Sequence, residues 1–351
     1  GSAQASGTPP AIQDWRQAND TVGQFPRGHA DVVRWEAAQP SAEKAPMPSN
    51  GSGQPVWSLP TAAQAVRSAW QAHPELGRPL AHLGAASAGL MAEGDMETLD
   101  PGLQRRVHHA DDVLAIAVQA RKAWIDAVAA RQKQTALFDA LTAAEAAAEL
   151  GQRMVSVGHW NRLQQSKWAL ALSAARMAVQ QAQLEARQAE RSLLTTLRVS
   201  AMEGRVDLPN RLPDVAPQPM SREEFAQRLA SIAQQLPVTE RQWVGVRGEM
   251  AFDVHRASHA IHAALRDDVL KQRERVSEET LLRYNGMLES VWGLLADVEV
   301  RMQAVVATIA AQRDALWAEA DLEWVLQGGQ PQAFVAVGGA RMASPNATSA
   351  H

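Results

Sequence analysis

The chain contains no cysteine. That excludes disulfides, thiolate metal sites and cysteine nucleophiles. Aromatic residues are scarce apart from tryptophan, with 1 Tyr and 5 Phe against 11 Trp. The β-favouring aromatics that mark strands are therefore few. No run approaches the roughly 20 apolar residues that a membrane-spanning helix needs. Charge of one sign is not in excess either. The formal net charge is −4, with 34 basic and 38 acidic residues mixed throughout, which leaves no electrostatic footprint for nucleic acid. Catalytic signatures are also missing. There is no phosphate-binding loop, no Gly-x-Gly-x-x-Gly after a strand, no His-Glu-x-x-His, no nucleophile elbow, and no strand–helix alternation to carry them. The chain is expected not to be an enzyme.

What remains is long stretches without proline or glycine, rich in Ala, Glu, Gln, Arg and Leu, which read as long helices. The 351 residues suffice for one or two domains with a real core. Residues 1–55 form an N-terminal arm and linker, ending in the low-complexity QPSAEKAPMPSNGSGQP. Gly1-Ser2 reads as an expression scar, so a leader or a lipidated N-terminal cysteine could have been trimmed. A helix is predicted from Leu59 to His73, with Pro60 in its first turn. Residues 84–102 are rich in breakers and read as a loop or frayed helix. From Leu103 to Ser156 there is no Pro, and Gly appears only at Gly151, which predicts a helix of roughly 80 Å. VGHWN (157–161) punctuates it, and a second helix covers 161–197.

A Pro-rich joint, RVDLPNRLPDVAPQP (205–219), comes next. Ser221 and Glu224 then stand in capping-box spacing at the head of a short helix. A third long helix is predicted over 240–283, a turn at YNGM (284–287), and a fourth helix over 290–326. Residues 331–351 are small and polar and read as a disordered tail. The plan repeats. A long helix, a break containing Gly158 and a helix of about 37 residues recur at an offset near 130, with Gly286 in the second break. Repeat one spans about 57–200 and repeat two about 220–328. Neither hairpin can bury its apolar stripe alone, so the fold class is all-α: long antiparallel helical hairpins in tandem, packed together.

Two stretches carry a family resemblance. AELGQRMVSVGHWNRLQQSKWALALSAARMAVQQAQLEARQAERSLLTTLRV (148–199) resembles the first internal repeat of the outer-membrane efflux (TolC) family. EETLLRYNGMLESVWGLLADVEVRMQAVVATIAAQRDALWAEADLEWVLQGG (278–329) resembles the matching part of the second. The RLPDVAP joint and PPAIQDWRQANDTVGQFPRGHADVVRWE near the start fit too. The resemblance implies a homotrimer whose helices line a periplasmic tunnel, docked to an efflux adaptor protein, with four strands per chain in an outer-membrane barrel. This sequence departs from that pattern where the strands belong. Only 84–102 in one half and LPVTERQWVG (236–245) in the other lie between helices. Each half would need two strands of about 9–11 alternating residues. A TolC-like helical bundle without a transmembrane β-barrel is therefore expected, located in the periplasm or attached to the outer membrane through a lipid anchor. Without the barrel's share of the oligomer interface, a monomer is as compatible as a homotrimer.

Candidate sites are few. DVHRASHAIH (253–262) puts His255, His259 and His262 within ~60° of arc on one helix, and neutral imidazole suits copper or zinc. With Val254, Ile261 and Leu265 taken as the apolar stripe, the three sit between core and solvent. That suits a metal site completed by a neighbouring helix, and equally suits ordinary boundary residues. His108 and Asp112, at i and i+4 in HHADD, form a second metal candidate. His159 and His29 are lone and read as structural. Met154, Met177, Met250, Met287 and Met302 could offer soft Cu(I) ligands but stand at core-like helical spacing. Trp160, Trp168, Trp292, Trp317 and Trp324 are expected to fill space between Ala-rich helices. Two functional readings result. One is a non-enzymatic periplasmic protein serving efflux or heavy-metal resistance by binding a partner or a metal. The other is a trimeric helical tunnel that docks an adaptor.

Overall fold

The computed structural model describes residues 56–100, 102–103, 107–199, 205–334 and 342–343. They belong to one unit, Gln54–His351. The other unit, Gly1–Gly53, lies outside the described residues, and with it the arm and linker expected at 1–55. A short strand β1 (Val56–Ser58) leads into α1 (Ala62–Gln71), a 3-10 turn (Pro74–Leu76), α2 (Gly77–Leu83) and α3 (Ala85–Glu93). Then come α4 (Ala110–Ser156), α5 (Arg162–Thr196) and β2 (Arg205–Asp207). The second half holds α6 (Arg222–Gln235), α7 (Val238–Ala264), a π-helical turn (Leu265–Leu270), α8 (Lys271–Asn285) and α9 (Val291–Leu326). Two short strands close it, β3 (Ala333–Phe334) and β4 (Met342–Ala343). Hairpin one is α4–α5. Hairpin two is α7–α8 with α9.

Helix starts obey hydroxyl caps. The Gln64 and Glu224 amides donate to Thr61 Oγ1 (3.3 Å) and Ser221 Oγ (3.1 Å), and the Gly293 amide donates to Ser290 Oγ (3.1 Å). Thr61 outcompetes Leu59 as a helix start because it supplies an acceptor, so Pro60 lies ahead of the cap. The breaker-rich 84–102 is not one loop. Gly84 and Gly94 bracket the helix α3, and Gly94 ends it in the left-handed conformation. The long helix begins at Ala110 rather than Leu103, after His109 turns the chain at φ 65°.

Large side chains concentrate at one end. The main core joins α1, the loop after α3 and the first half of α4, with Trp70, Leu76, Met91, Leu114 and Trp124 buried. The indoles are anchored: Trp70 Nε1 donates to the Val113 carbonyl (3.0 Å) and Trp124 Nε1 to that of Leu59 (2.8 Å). A second cluster stacks Phe225 on Phe252 at 4.4 Å beside Leu322, Val325 and Phe334. Of the tail expected at 331–351, residues 331–334 and 342–343 are described. There β3 pairs antiparallel with β4 and buries Phe334. Between the cores run two ion pairs, Lys122–Asp321 and Arg228–Glu323. Beyond about residue 129 the buried positions of α4 shrink to Ala136, Ala147 and Gly151.

The strands are two or three residues long. β1 pairs in parallel with β2, and the Leu59 amide extends the ladder to the Asp207 carbonyl at 2.9 Å. Among the described residues there is no transmembrane strand and no closed barrel. No helix among the described residues is long and apolar enough to cross a membrane.

The two hairpin tips correspond turn for turn, at an offset of 129. Val157 and Gly286 cap the helices, then Gly158 (φ 78°) and Met287 (φ 59°) enter the left-handed region. The next amides, of His159 and Leu288, reach back to the Met154 and Arg283 carbonyls at 2.9 and 2.8 Å. Gly158 therefore corresponds to Met287 and not to Gly286, although composition pairs the two glycines.

Candidate functional site

The Pro-rich joint between the halves cannot hold itself. Pro209, Pro213, Pro217 and Pro219 lack amide protons, and the segment forms no ladder beyond β2. Its backbone is satisfied by side chains from the helices beneath it. Arg131 donates to the Leu208 carbonyl (3.2 Å), and the Leu212 amide donates to Gln132 Oε1 (3.1 Å). Gln312 donates to the Pro213 carbonyl (2.8 Å) and His259 Nε2 to the Ala216 carbonyl (2.8 Å). The Met220 amide donates to His255 Nε2 (3.4 Å). Five side chains thus fasten the joint across both hairpins.

This arrangement relocates the three histidines. His255 and His262 are buried, at 6% and 4% exposure, while Ile261 is 39% exposed. The buried face of α7 centres on His255, Ser258 and His262, because the joint and α9 cover it. Sequence periodicity placed the core on Val254, Ile261 and Leu265; Val254 is buried as expected, Leu265 is half-buried and Ile261 is exposed. Burial, and then the neighbouring His259, push His255 down to about 4. Burial likewise lowers His262. With Nε2 accepting from Met220, the neutral His255 carries its proton on Nδ1, which is buried without a partner. The His255 and His259 rings stand 6.4 Å apart, and both Nε2 atoms are engaged with backbone.

Among the described residues, no three of His, Asp and Glu converge to hold a metal ion. The three histidines expected to suit copper or zinc, His255, His259 and His262, are not gathered into one ligand set in this geometry, and the Nε2 atoms of His255 and His259 face the joint's backbone. The second candidate set does not form as expected either. Asp112 pairs with His109, Nδ1 to Oδ2 at 2.8 Å, and the structure places no His108–Asp112 contact. The His108 ring lies over His109 instead, centroids 3.8 Å apart.

The tryptophans divide by position. Trp160 and Trp168 of hairpin one meet Trp292 of hairpin two at 4.0 and 4.9 Å between ring centroids. This clasp joins the hairpins near their tips, and Gly151 lies directly beneath it. A Cβ there would approach Trp160 to 3.3 Å.

Among the described residues, exposed apolar side chains line up on both hairpins. Leu163, Leu170, Met177 and Leu184 succeed one another at intervals of seven along α5, each 50–70% exposed. At 100° per residue they lie roughly 150° from the buried Val179, Ala182 and Ala186. Hairpin two presents its own outward stripe: Ile261, Val269 and Val276, 39–45% exposed. The step from Ile261 to Val269 is eight residues, and the π-turn at Leu265–Leu270 absorbs the extra one, which keeps the stripe on one side. Sequence alone carried this signal, a strict seven-residue repeat on a helix of ordinary polarity. Of the four, only Met177 stands among the residues read at core-like spacing, and it is 64% exposed. At the tip of hairpin two, Leu282, Met287 and Leu288 are 66–94% exposed.

No family model matches the sequence, and no curated protein matches it. Solved structures do. The chain is similar to CusC, from a study of conformational changes accompanying folding and transmembrane channel formation. The TM-score is 0.52 at 11% identity, covering 77% of this chain and 92% of that one. It is also similar to the Campylobacter jejuni CmeC outer membrane channel (0.48, 12% identity, 76% and 68%). A third is a membrane protein from Pseudomonas aeruginosa (0.46, 12% identity, 75% and 72%). The CusC match carries the assignment of fold: a helical arrangement like that of outer-membrane channels of the TolC type.

Proposed function

We propose that this chain is a non-enzymatic wall segment of an efflux duct, built by three copies of itself in the periplasm and docked at its tips to an adaptor protein. The observation that carries the reading is the pair of outward apolar stripes. A ring of identical subunits needs two different complementary faces on each. The stripe of Leu163, Leu170, Met177 and Leu184 on hairpin one and that of Ile261, Val269 and Val276 on hairpin two supply such a pair. Knobs repeating every seven residues pack into a partner helix as in a coiled coil. Full burial of each Leu or Met contributes roughly 1.5–3 kcal/mol. The exposed Leu282, Met287 and Leu288 offer an apolar end for the adaptor. This favours the tunnel over the monomeric metal-binding protein, for which the histidines supply no converged site.

Mass in solution tests it. The wild type is expected at three times 38.0 kDa. Changing both Leu170 and Met177 to Glu should give a 38.0 kDa species with unchanged helical circular dichroism, since both side chains face outward. A wild type that stays monomeric at high micromolar concentration would sink the proposal.

A further inference from the structure

Hairpin one is walled with alanine along its inner face, and the second hairpin does not fill the space opposite. A cavity of about 220 Å³ lies between α4, α5 and the first turns of α9. Ala144 and Ala147 line one wall, Ala171 and Ala175 the other; Leu295 and Met302 form the roof and Trp168 stands beside them. The lining runs over 137–147 on α4 and 168–178 on α5. Ten residues of helix measure about 15 Å, so the cavity is a slot parallel to the helices. Spread over that length, its volume leaves room for little more than one hydrocarbon chain in width. A dry apolar cavity of about 150 Å³ already holds a benzene ring.

The slot has one polar edge. Glu299 and Gln303, one turn apart on α9, are exposed and border it. Glu299 is the single ionisable group lining the slot among the described residues. A carboxylate at the mouth of an apolar slot repels anionic head groups and attracts cationic ones.

We propose that this slot is a binding site for a single-chain alkyl amphiphile with a cationic head. The tail lies between the alanine walls and the head sits at Glu299. The site lies within one chain and stands independently of assembly. Every residue that lines it comes from helices of one chain.

The probe is decyltrimethylammonium below its micellar concentration, titrated calorimetrically into the full chain. One saturable site per chain is expected. Ala144→Leu and Ala175→Leu, made separately, fill the slot. Each should weaken binding at least tenfold and raise Tm, because a side chain added to a real void gains contacts without strain. Glu299→Gln should weaken decyltrimethylammonium severalfold and leave decanol binding unchanged. Leu184→Glu, which breaks assembly but lies outside the slot, should bind like the wild type; this separates failure of the slot from failure of the duct. The proposal is overturned by non-saturable uptake in the wild type, by equal affinity in both filled variants, or by a lowered Tm in both. The last outcome would reveal a seam already packed. Equal binding of decyl sulfate and decyltrimethylammonium would likewise overturn the assignment of the head group.

Discussion

The long helix α4 of hairpin one keeps buried positions toward its tip, and α8 of hairpin two keeps none. Toward its tip, α4 still buries Ala136, Ala147 and Gly151. In hairpin two neither the π-turn nor α8 buries a single residue, and α9 buries none before Ala304. On α8 what faces inward is polar: Ser277 bonds to Asp297, and Arg273 and Thr280 are half-buried, while the facing turns of α9 contribute the half-buried Trp292, Leu295, Val298 and Met302. What faces outward is Val269, Val276, Leu281 and Leu282. Burial of apolar surface is the main stabilising term for a helix in a fold. The π-turn and α8 therefore draw little of that term from within one chain. The difference teaches that hairpin one draws more of its stability from its own chain than α8 does, and on the proposed duct a neighbour would complete the end of hairpin two.

The largest effect expected from this asymmetry is in amide exchange. In the dissociated Leu170→Glu, Met177→Glu chain, amides of 271–285 should exchange at least a hundredfold faster than those of 179–194. In the assembled wild type the gap should close. Equal protection of both stretches in the dissociated chain would break the comparison, since it would show that polar contacts alone hold hairpin two.

The near half of hairpin two is held differently, through the joint, and this half is sensitive to pH. His255 sits at about 4 when folded and near 6.5 when unfolded. Below 6.5 the unfolded chain binds a proton that the folded one does not. Stability is therefore intact above pH 6.5 and falls as pH drops toward 4, by about 3 kcal/mol. His255→Gln retains an acceptor for the Met220 amide and should flatten that part of the pH profile. Denaturant melts between pH 4 and 7 check it. An unchanged slope in the variant would show that other groups dominate acid sensitivity.

The clasp between the hairpins comes next. Trp292→Ala removes the contacts to both Trp160 and Trp168. It should cost about 2 kcal/mol, less than a fully buried Trp because Trp292 is only half-buried. The loss should appear in exchange at 291–303 before it appears in α4. A uniform loss over both hairpins would instead make them one cooperative unit.

Much of this fold is legible in the sequence because helix periodicity and breakers are local signals. Pro-free runs mark the long helices, and Ser221 marks a start because its hydroxyl acts on an amide three residues away. The site was less legible, for a physical reason. Whether His255 is buried depends on a joint more than 30 residues upstream lying across it, and no periodicity within α7 records that. The π-turn is hidden for a similar reason: one extra residue in a continuous helix leaves the composition untouched and changes only the phase of the residues beyond it. The exposed stripe of α5 could have been read, since spacing by seven is visible in the sequence. Apolar residues at helical spacing are by default assigned inward, and nothing local says that a helix has two apolar faces.

The smallest expected effect gives the cleanest contrast, because it sets the two repeats against each other at equivalent backbone positions. Hairpin one turns on Gly158 and hairpin two on Met287, both at positive φ. A residue with a Cβ is strained there, and glycine is not. Met287 is 94% exposed, so removing its side chain sacrifices almost no packing within the chain. Met287→Gly should therefore stabilise the dissociated chain by about 1 kcal/mol, and Gly158→Ala should destabilise it by a similar amount. In the proposed duct with an adaptor bound, the same Met287→Gly change should lose its advantage if the exposed methionine packs against the partner. Chemical denaturation of the monomeric background gives the first number. A stabilising Met287→Gly that also weakens adaptor binding would show that a strained turn is kept for the side chain it displays. A destabilising Met287→Gly in the monomer would mean that the tips of the two repeats, alike in hydrogen bonding, differ in what they require of the backbone.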